Sequence, residues 1–306
     1  IVIVTGCYAQ VSPDEISRIE GVDYVIGNSH KFSSLLKAIR EGKAQEEPRL
    51  LISDIFREKK KSFETPGIER FPGRTRAFLK VQDGCNYACT FCIIPRARGR
   101  SRSLEIDEII KRMRTLAEAG YKEIVLTGVH IASYGRDIGT TFPELIRRID
   151  EARVVGRVRL TSLDPADMDE ALVEQIAASE TICPQFHVAL QSGDANILKR
   201  MRRRYAPERF LRMTGLIRET MPDAAIGSDI MVGFPGETDE EFANTCETAG
   251  ESALTYFHVF PYSRRRETPA AAMPEQVPPD VIRERSRALR AIGSRKKKEF
   301  YSSFVG

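Results

Sequence analysis

The 306-residue sequence has no apolar leader, no run of about eighteen apolar residues of the kind that spans a membrane, and only four histidines. Six cysteines, three of them clustered, do not form the even spacing of a secreted disulfide framework. These features predict a protein of the reducing cytoplasm that has no membrane association. His130, His187 and His258 each stand alone in apolar, strand-like runs, so the histidines supply no recognisable metal-binding motif.

Three cysteines stand close together in the stretch GCNYACTFCIIP, where Cys85, Cys89 and Cys92 follow a C-x3-C-x2-C spacing. Three thiolates at this spacing can ligate three irons of a cubic iron-sulfur cluster and leave the fourth iron free to bind a cofactor. A structural zinc site would normally need a second pair of ligands, and none follows. The spacing therefore predicts an open [4Fe-4S] cluster, with zinc and a disulfide framework as the alternatives.

Positive charge is concentrated in short clusters, although the net charge is only +4 and the pI is near 8.7. Clusters of this kind are either solvated surface or contacts to nucleic acid. The four clusters are RARGRSR at 96–102, KRMRRRY at 199–205, SRRR at 263–266 and RKKK at 295–298.

Strand-like and helix-like segments alternate along the whole chain, which predicts an α/β fold with a parallel sheet and crossover helices. In the first part, IVIVTG and DYVIGN are predicted strands, whereas PDEISRIEG and KFSSLLKAIREG are predicted helices. Residues 43–73 are rich in charge, proline and glycine and are predicted to be a linker. We therefore place a domain boundary near residue 70 and interpret 1–70 as the remnant of an N-terminal domain plus linker.

From residue 71 to 306 the alternation becomes regular and predicts six β/α units that curve into a partial barrel. Polar residues gather at the carboxyl ends of the predicted strands, where α/β folds carry their chemistry. The cysteine loop follows the first of these strands and should open onto the same mouth. Thr238 in the GFPGET turn is predicted to cap the helix that follows, with Glu240 and Glu241 in its first turn. The six predicted strands are AFLKVQ, EIVLTGV, VRLTSL, FHVALQ, AIGSDIMVGF and YFHVFPY.

The strand, the cysteine loop and the six β/α units together resemble the radical S-adenosylmethionine (SAM) superfamily. This resemblance implies that the methionine end of SAM chelates the open iron, and that an electron from the cluster cleaves the sulfonium to release a 5′-deoxyadenosyl radical. A fourth cysteine ligand would block that chemistry.

Longer phrases resemble the methylthiotransferases of this superfamily, in order and over most of the chain. They are GCNYACTFCIIPRARGRSRS, AGYKEIVLTGVHIASYGRD, QSGDANILKRMRRRY, DIMVGFPGETDEEF and HVFPYSRRRETPAA. The block at 128–137 and the HVFPYS block are most similar to members that methylthiolate N6-threonylcarbamoyladenosine beside the tRNA anticodon. The resemblance implies tRNA as partner, sulfur insertion at an adenine C–H followed by methylation, and an electron donor and a sulfur source that the sequence does not identify.

The family also implies a second [4Fe-4S] cluster, because its N-terminal domain ends in a GCYAQ phrase like the one around Cys7. Two further cysteines are expected upstream of Ile1, and a C-terminal RNA-binding β-barrel of the family is absent after EFYSSFVG. Cys183 and Cys246 match no ligand of the family and are predicted to be packing residues. On this interpretation residues 71–306 form the radical SAM core with a C-terminal helix.

Other roles rest on position in the barrel together with the resemblance. Each has a plainer alternative: core packing for Phe91 and His130, and a solvated or RNA-facing side chain for Arg202. The predicted SAM contacts are Phe91, Gly128, Ser162, Asp164, Gln191 and Arg202, and the predicted substrate contacts are His130 and Arg98.

Two other functions remain open at this point. One is methylthiolation of a ribosomal-protein aspartate by the same chemistry, and the other is a catalytically silent RNA-binding or zinc-binding fragment. The block at 128–137 and the basic clusters favour RNA over protein as the substrate.

Overall fold

The N-terminal part of the computed structural model, which describes residues 1–29, 31–43, 47–57 and 67–305, is a small parallel sheet with order β1-β2-β3. The two predicted strands and the two predicted helices of this region are confirmed, and the structure adds a short helix at Cys7–Val11 and a third strand. The strands are β1 (Ile3–Thr5), β2 (Tyr24–Ile26) and β3 (Arg49–Leu51), and the helices are α1 (Cys7–Val11), α2 (Pro13–Ser17) and α3 (Lys31–Glu41).

The linker prediction for 43–73 is wrong at Arg49–Leu51, which forms the third strand of this sheet. The segment pairs in parallel with β2, with Leu51 opposite Ile26, and Leu51 packs beside Ile26 and Ala38. The strand forms because its backbone pairs with the N–H and C=O groups at the open edge of β2 and because it covers apolar side chains there. Residues 44–46 and 58–66 of the predicted linker lie outside the described residues.

Six parallel strands form the larger part of the molecule, and their order follows the chain, as predicted. Two three-stranded sheets, β4-β7-β8 and β9-β10-β11, are joined by bridges between Val158 and Ile182 and between Leu163 and Val188. The edge strands β4 and β11 do not pair with each other, so the partial (β/α)6 barrel stays open on one side. The strands are β4 (Ala77–Lys80), β7 (Glu123–Thr127), β8 (Arg157–Leu160), β9 (Gln185–His187), β10 (Ala225–Val232) and β11 (Tyr256–Pro261).

Most of the connecting helices bury apolar side chains against these strands and share one large core. Cys183 is buried and Cys246 packs against this core, which confirms that both are packing residues. The helices are α4 (Ile94–Arg98), α5 (Ile106–Glu118), α6 (Phe142–Ala152), α7 (Glu170–Ala178), α8 (Ala195–Arg200), α9 (Pro207–Thr220), α10 (Asp239–Glu251) and α11 (Pro279–Ser302). Within the described ranges, no helix has both the length and the apolar character needed to cross a membrane.

The GFPGET turn starts α10 as predicted. Thr238 and Glu241 form a capping box, in which the Thr238 side chain accepts from Glu241 N and the Glu241 side chain accepts from Thr238 N. Gly233 has a φ of 74° and a Cβ there would lie 2.3 Å from Ile282. This glycine therefore permits the tight approach of α11 to the end of β10.

Each barrel strand has two faces of different character. On β11, Phe257 and Val259 pack into the large core, whereas Tyr256, His258 and Phe260 point to the opposite side because side chains alternate along a strand. We call the side away from the helices the inner face of the barrel. This face carries aromatic side chains such as His258 and polar ones such as Asp229.

Candidate active site at the three-cysteine loop

The cysteine loop starts from a short antiparallel ribbon of β5 (Gln82–Asp83) and β6 (Arg102–Ser103) that extends the first barrel strand. Gly84 allows the entry to the loop: its φ is 72° and a Cβ there would lie 2.1 Å from the Arg100 carbonyl oxygen. Only glycine fits both constraints. As a result Cys85 N can donate to Gly99 O at 3.1 Å, which closes the base of the loop.

All three cysteines of the loop are free thiols and line a single cavity of about 180 Å³ at the mouth of the barrel. We call it the thiol cavity. Its volume is smaller than the roughly 300–1,000 Å³ of typical ligand sites, so a cluster with a bound cofactor would fill it and extend towards solvent. It is lined by Cys85, Tyr87, Cys89, Phe91, Cys92, Ile94, Val129, His130, Ser162, Leu163, Asp164, Ala189, Gln191 and Arg203.

A buried arginine faces the middle cysteine of the loop. Arg203 Nη1 donates to Cys89 Sγ at 3.4 Å, and Arg203 Nη2 pairs with Asp164 Oδ2. The arginine and aspartate side chains are only 9% and 8% exposed. Burial raises the pKa of the Cys89 thiol, and the Arg203 guanidinium opposes that rise. The cavity therefore holds a fixed positive charge beside a potential thiolate ligand.

A second network holds the first cysteine. His130 Nδ1 lies 3.8 Å from Cys85 Sγ, and His130 Nε2 lies 2.7 Å from Asp167 Oδ2. Tyr87 OH and Arg136 Nη2 each donate to Asp167 at 2.7 Å. Burial opposes the imidazolium, but Asp167 and Cys85 outweigh it and raise the pKa of His130 to about 9.

The donor set suits an iron-sulfur cluster better than one metal ion. Burial raises the pKa of Cys92 to about 11, against a backbone hydrogen bond from Ile94, so the Cys89 and Cys92 thiols need a metal or a cation to ionise at neutral pH. Among the described residues, no three His, Cys, Asp or Glu side chains surround a position for a single ion. A [4Fe-4S] cluster binds each thiolate at a different iron, and Arg203 offers charge compensation for it. The residues present therefore fit such a cluster.

Four of the predicted SAM contacts, Phe91, Ser162, Asp164 and Gln191, line the thiol cavity. Gly128 does not line it, although its neighbour Val129 does. A Cβ at position 128 would lie 3.0 Å from Gln82 Oε1, and that oxygen accepts from His130 N at 2.8 Å. The absence of a side chain at Gly128 therefore makes room for the glutamine that positions His130.

The structure places Arg203 in the cavity at the position expected for Arg202. Arg202 is exposed and has a φ of 57°, the left-handed conformation of a residue that ends a helix, here α8. Its N–H donates to Lys199 O and that of Arg203 donates to Leu198 O. This reversal turns the next side chain, rather than that of Arg202, towards the thiols.

Cys7 and Arg98 lie together, away from the thiol cavity. Cys7 starts α1 and is half-buried, and Arg98 Nη1 pairs with Asp83 at 3.0 Å while also contacting the Cys7 thiol. Cys7 opens into a separate cavity of about 480 Å³, which we call the Cys7 cavity. It is lined by Cys7, Tyr8, Val11, Ser12, Glu15, Ile93, Arg264, Arg265, Arg266 and Glu267.

The two cavities are separated by one short piece of chain. Ile93 lines the Cys7 cavity, whereas its neighbours Cys92 and Ile94 line the thiol cavity. Asn28 Nδ2 holds the two parts together, since it donates to Ala97 O of α4 at 2.6 Å and lies 3.9 Å from Cys7 Sγ. The fold thus brings the isolated cysteine close to the three-cysteine loop.

Sequence reasoning missed three residues that organise the site: Arg203, Tyr87 and Asp167. Tyr87 lies between two of the cysteines, and that position could have identified it as part of the loop. Arg203 stands in an arginine cluster in which no local signal distinguishes one side chain from the next. Asp167 follows the third barrel strand in a turn at Pro165–Asp167, and its role depends on contacts that only the fold creates.

A family model described as the radical SAM superfamily matches residues 79–249. The chain is 40% identical over 307 residues to threonylcarbamoyladenosine tRNA methylthiotransferase MtaB of Aquifex aeolicus, covering 100% of this chain and 74% of that protein. It is 36% identical over 314 residues to tRNA-2-methylthio-N(6)-dimethylallyladenosine synthase of Acetivibrio thermocellus, covering 100% of this chain and 64% of that protein.

Among solved structures, the radical SAM methyltransferase TsrM of Kitasatospora setae is similar in fold, with a TM-score of 0.55 and 20% identity. That match covers 64% of this chain and 38% of TsrM. The six-stranded barrel, the three-thiol cavity and the matches over the whole chain agree with one another. The chain belongs to the radical SAM superfamily and, within it, to the methylthiotransferase family that includes MtaB.

Proposed function

We propose that this chain methylthiolates N6-threonylcarbamoyladenosine of tRNA, using the three-cysteine loop to start the radical reaction and the Cys7 region to supply sulfur. The observation that carries this proposal is the match to MtaB over the full length of the chain. The separation of the thiol cavity and the Cys7 cavity by one piece of chain at 92–94 supports it, because the two half-reactions must act on one adenine.

Cys85, Cys89 and Cys92 would hold a [4Fe-4S] cluster whose open iron takes SAM. Bound there, the cluster and SAM would supply the radical chemistry that activates the substrate C–H bond. Arg203 would offset the negative charge of the thiolates, and Asp164 would hold Arg203 in place, because its Oδ2 is used in that pair. His130 would orient the sulfur of Cys85.

The remaining cofactor contacts follow from the lining of the thiol cavity. Phe91 would pack against the cofactor, and Ser162 and Gln191 would donate or accept hydrogen bonds at its polar groups. Gln191 has a φ of 62°, a strained conformation for a residue other than glycine that is common at binding sites. Gly128 and Arg202 are left out of this assignment.

Cys7 would be one ligand of a second [4Fe-4S] cluster. Arg98 touches its thiol and would place a positive charge beside that cluster, rather than contact substrate directly. We assign residues 1–70, including the strand Arg49–Leu51, to the N-terminal unit and 71–306 to the radical SAM core.

Mass spectrometry of tRNA nucleosides from a strain that lacks the protein tests the substrate. We expect the methylthio form of threonylcarbamoyladenosine to disappear and its unmodified precursor to accumulate, and reintroduction of the gene to restore the methylthio form. If methylthio-dimethylallyladenosine were lost instead, the substrate would be dimethylallyladenosine, as the name of the Acetivibrio thermocellus relative states for that protein. Unchanged nucleosides would overturn an RNA substrate and point to a ribosomal-protein aspartate.

Anaerobic reconstitution of the purified chain tests the chemistry independently. We expect bound iron and sulfide together with formation of 5′-deoxyadenosine from SAM. Zinc without iron, and no cleavage of SAM, would identify a silent RNA-binding or zinc-binding fragment and overturn the assignment of the three cysteines.

A further inference from the structure

The inner face of the barrel carries an aromatic ladder on its open edge. Tyr256, His258 and Phe260 alternate along β11, with ring centroids 5.9 Å and 6.4 Å apart. His258 is exposed, and 50% of the Phe260 surface is accessible to solvent. Three aromatic side chains in a row on one face of an edge strand are unusual for a solvated surface, where charged residues normally protect the edge.

The neighbouring strands extend this aromatic surface with polar groups. His187 of β9 stacks on His258 at 6.2 Å, and its Nε2 pairs with Asp229 Oδ2 of β10 at 3.2 Å. Parallel pairing places Asp229 beside His258 and Met231 beside Phe260. In the sequence the two histidines stand alone, and only the register of the sheet brings them together.

This surface leads towards the catalytic cavity. Ala189 lies two residues beyond His187 and lines the thiol cavity, about 6–7 Å further along the same face. At the top of the ladder, Met231 packs in the same small cluster as Phe91 of the cysteine loop. A molecule that lies along β11 would therefore reach the cofactor at one end.

Positive charge begins where the ladder ends. Arg264, Arg265 and Arg266 follow β11 directly and line the Cys7 cavity. Arg266 pairs with Glu15, and Arg264 Nε donates to Ala271 O at 2.9 Å. Within the described part of the chain, the exposed guanidinium of Arg265 has no hydrogen-bond or ion-pair partner. The rings are inclined to one another, by 75° between Tyr256 and His258 and by 57° between His258 and Phe260, so each can present its face to a different base. Aromatic rings followed by arginine match a strand of unpaired nucleotides, whose bases stack while its phosphates bind the cations.

We propose that the Tyr256–His258–Phe260 ladder stacks unpaired bases of the RNA beside the target adenosine, and that Arg265 binds a phosphate of the same strand. This inference rests on the proposed function for the identity of the RNA. It adds a surface on this chain that selects unpaired nucleotides. Asp229 can accept a hydrogen bond from a base amino group at the same surface.

Fluorescence anisotropy with a labelled RNA hairpin, carrying the open loop of an anticodon arm, tests the proposal on the purified chain. The same RNA annealed to its complement is the paired control. We expect Phe260→Ala and His258→Ala each to weaken binding of the hairpin about tenfold, the loss of roughly one stacked base, and to leave duplex binding unchanged. Phe260→Trp should retain hairpin binding. Phe56→Ala, with 56% of its side chain exposed in the N-terminal unit, is the matched control.

Arg265→Gln should lower the slope of log Kd against log salt by about 0.7, the value for one phosphate contact to a single strand, whereas Phe260→Ala should leave that slope unchanged. If the wild-type chain prefers the hairpin and the ladder variants bind it equally well, the ladder proposal is overturned while the RNA substrate stands. If the wild-type chain does not distinguish hairpin from duplex in binding, a surface for unpaired bases is absent. Nucleoside analysis of the deletion strain then decides the substrate separately.

Discussion

The barrel and the N-terminal unit differ in how each is stabilised. In the barrel, one continuous core lies between the strands and the helices around them, and all six strands contribute to it. The N-terminal sheet has strands of three residues each and two small clusters, one of four buried residues around Ala9 and Ile16 and one of three around Tyr24. Short strands and small cores give little independent stability. We therefore expect the N-terminal unit to be the less stable of the two and to unfold separately from the barrel.

The two cysteine sites follow the same division. The three-cysteine loop is held by buried ion pairs that belong entirely to the barrel, including Arg203 with Asp164. Cys7 lies at the boundary, where Asn28 and Arg98 link it to α4. Cofactor cleavage should thus be a property of the barrel alone, and sulfur insertion should need both units.

The largest expected effect separates these two sites. Cys89→Ala should abolish SAM cleavage, because loss of a ligand exceeds the roughly 10–100-fold cost of losing a supporting contact. Cys7→Ala should leave formation of 5′-deoxyadenosine within about twofold of wild type and should abolish formation of the methylthiolated nucleoside. Chromatography of 5′-deoxyadenosine and mass spectrometry of the RNA product measure both.

Cys246→Ala is the control for that experiment, since Cys246 is a partly buried packing residue. Both reactions should survive this change. If Cys7→Ala reduced SAM cleavage as strongly as Cys89→Ala, the two sites would act as one and the division between them would be wrong.

The sequence predicted the barrel well because its strands are continuous apolar runs between amphipathic helices, a pattern that depends only on local spacing. The three-cysteine loop was equally local. The pairing of Arg49–Leu51 with β2 was missed because its charged and proline-rich surroundings resemble a linker. Likewise, His187 and His258 meet only through the register of β9, β10 and β11. Contacts that depend on pairing between distant segments have no local signature.

The contact of Arg203 with Asp164 is another that no local sequence pattern indicates, and its loss is expected to have the second-largest effect. Arg203→Ala leaves Asp164 buried without its partner, so we expect a loss of about 3 kcal/mol in the free energy of unfolding. Arg202→Ala, at the exposed neighbouring position, should change stability by less than about 0.5 kcal/mol. Urea denaturation followed by circular dichroism compares the two variants.

The double variant Arg203→Met with Asp164→Leu tests whether the loss of stability comes from the unpaired charge of Asp164 or from the lost packing of the Arg203 side chain. Removing both charges should recover most of the stability, since no buried charge is left unpaired, while cluster assembly should remain impaired. Equal losses in Arg203→Ala and Arg202→Ala would show that the buried pair does not stabilise the barrel.

The smallest expected effect tests the barrel without touching either cysteine site. Glu123 on β7 accepts from Arg157 Nε and Arg159 Nε of β8, each at 2.9 Å. Partial burial would raise the pKa of Glu123, but the hydrogen bonds from Arg159 and Arg157 outweigh it and lower the pKa from 4.5 to about 2. The folded barrel therefore binds the proton less tightly than the unfolded chain does, so this stabilisation is complete above pH 4.5 and is lost as the pH falls to about 2.

Glu123→Gln should remove that pH dependence. Between about pH 5 and pH 3 the urea midpoint of the wild-type chain should fall more steeply than that of the variant, and Glu174→Gln on the exposed surface of α7 serves as the matched control. Hydrogen exchange resolved by peptide should locate the difference in β7 and β8, and not in β1–β3. If the peptides of β1–β3 lost protection from exchange more steeply than those of β7 and β8, the small sheet would depend on its contacts with the barrel. The two regions would then unfold as one.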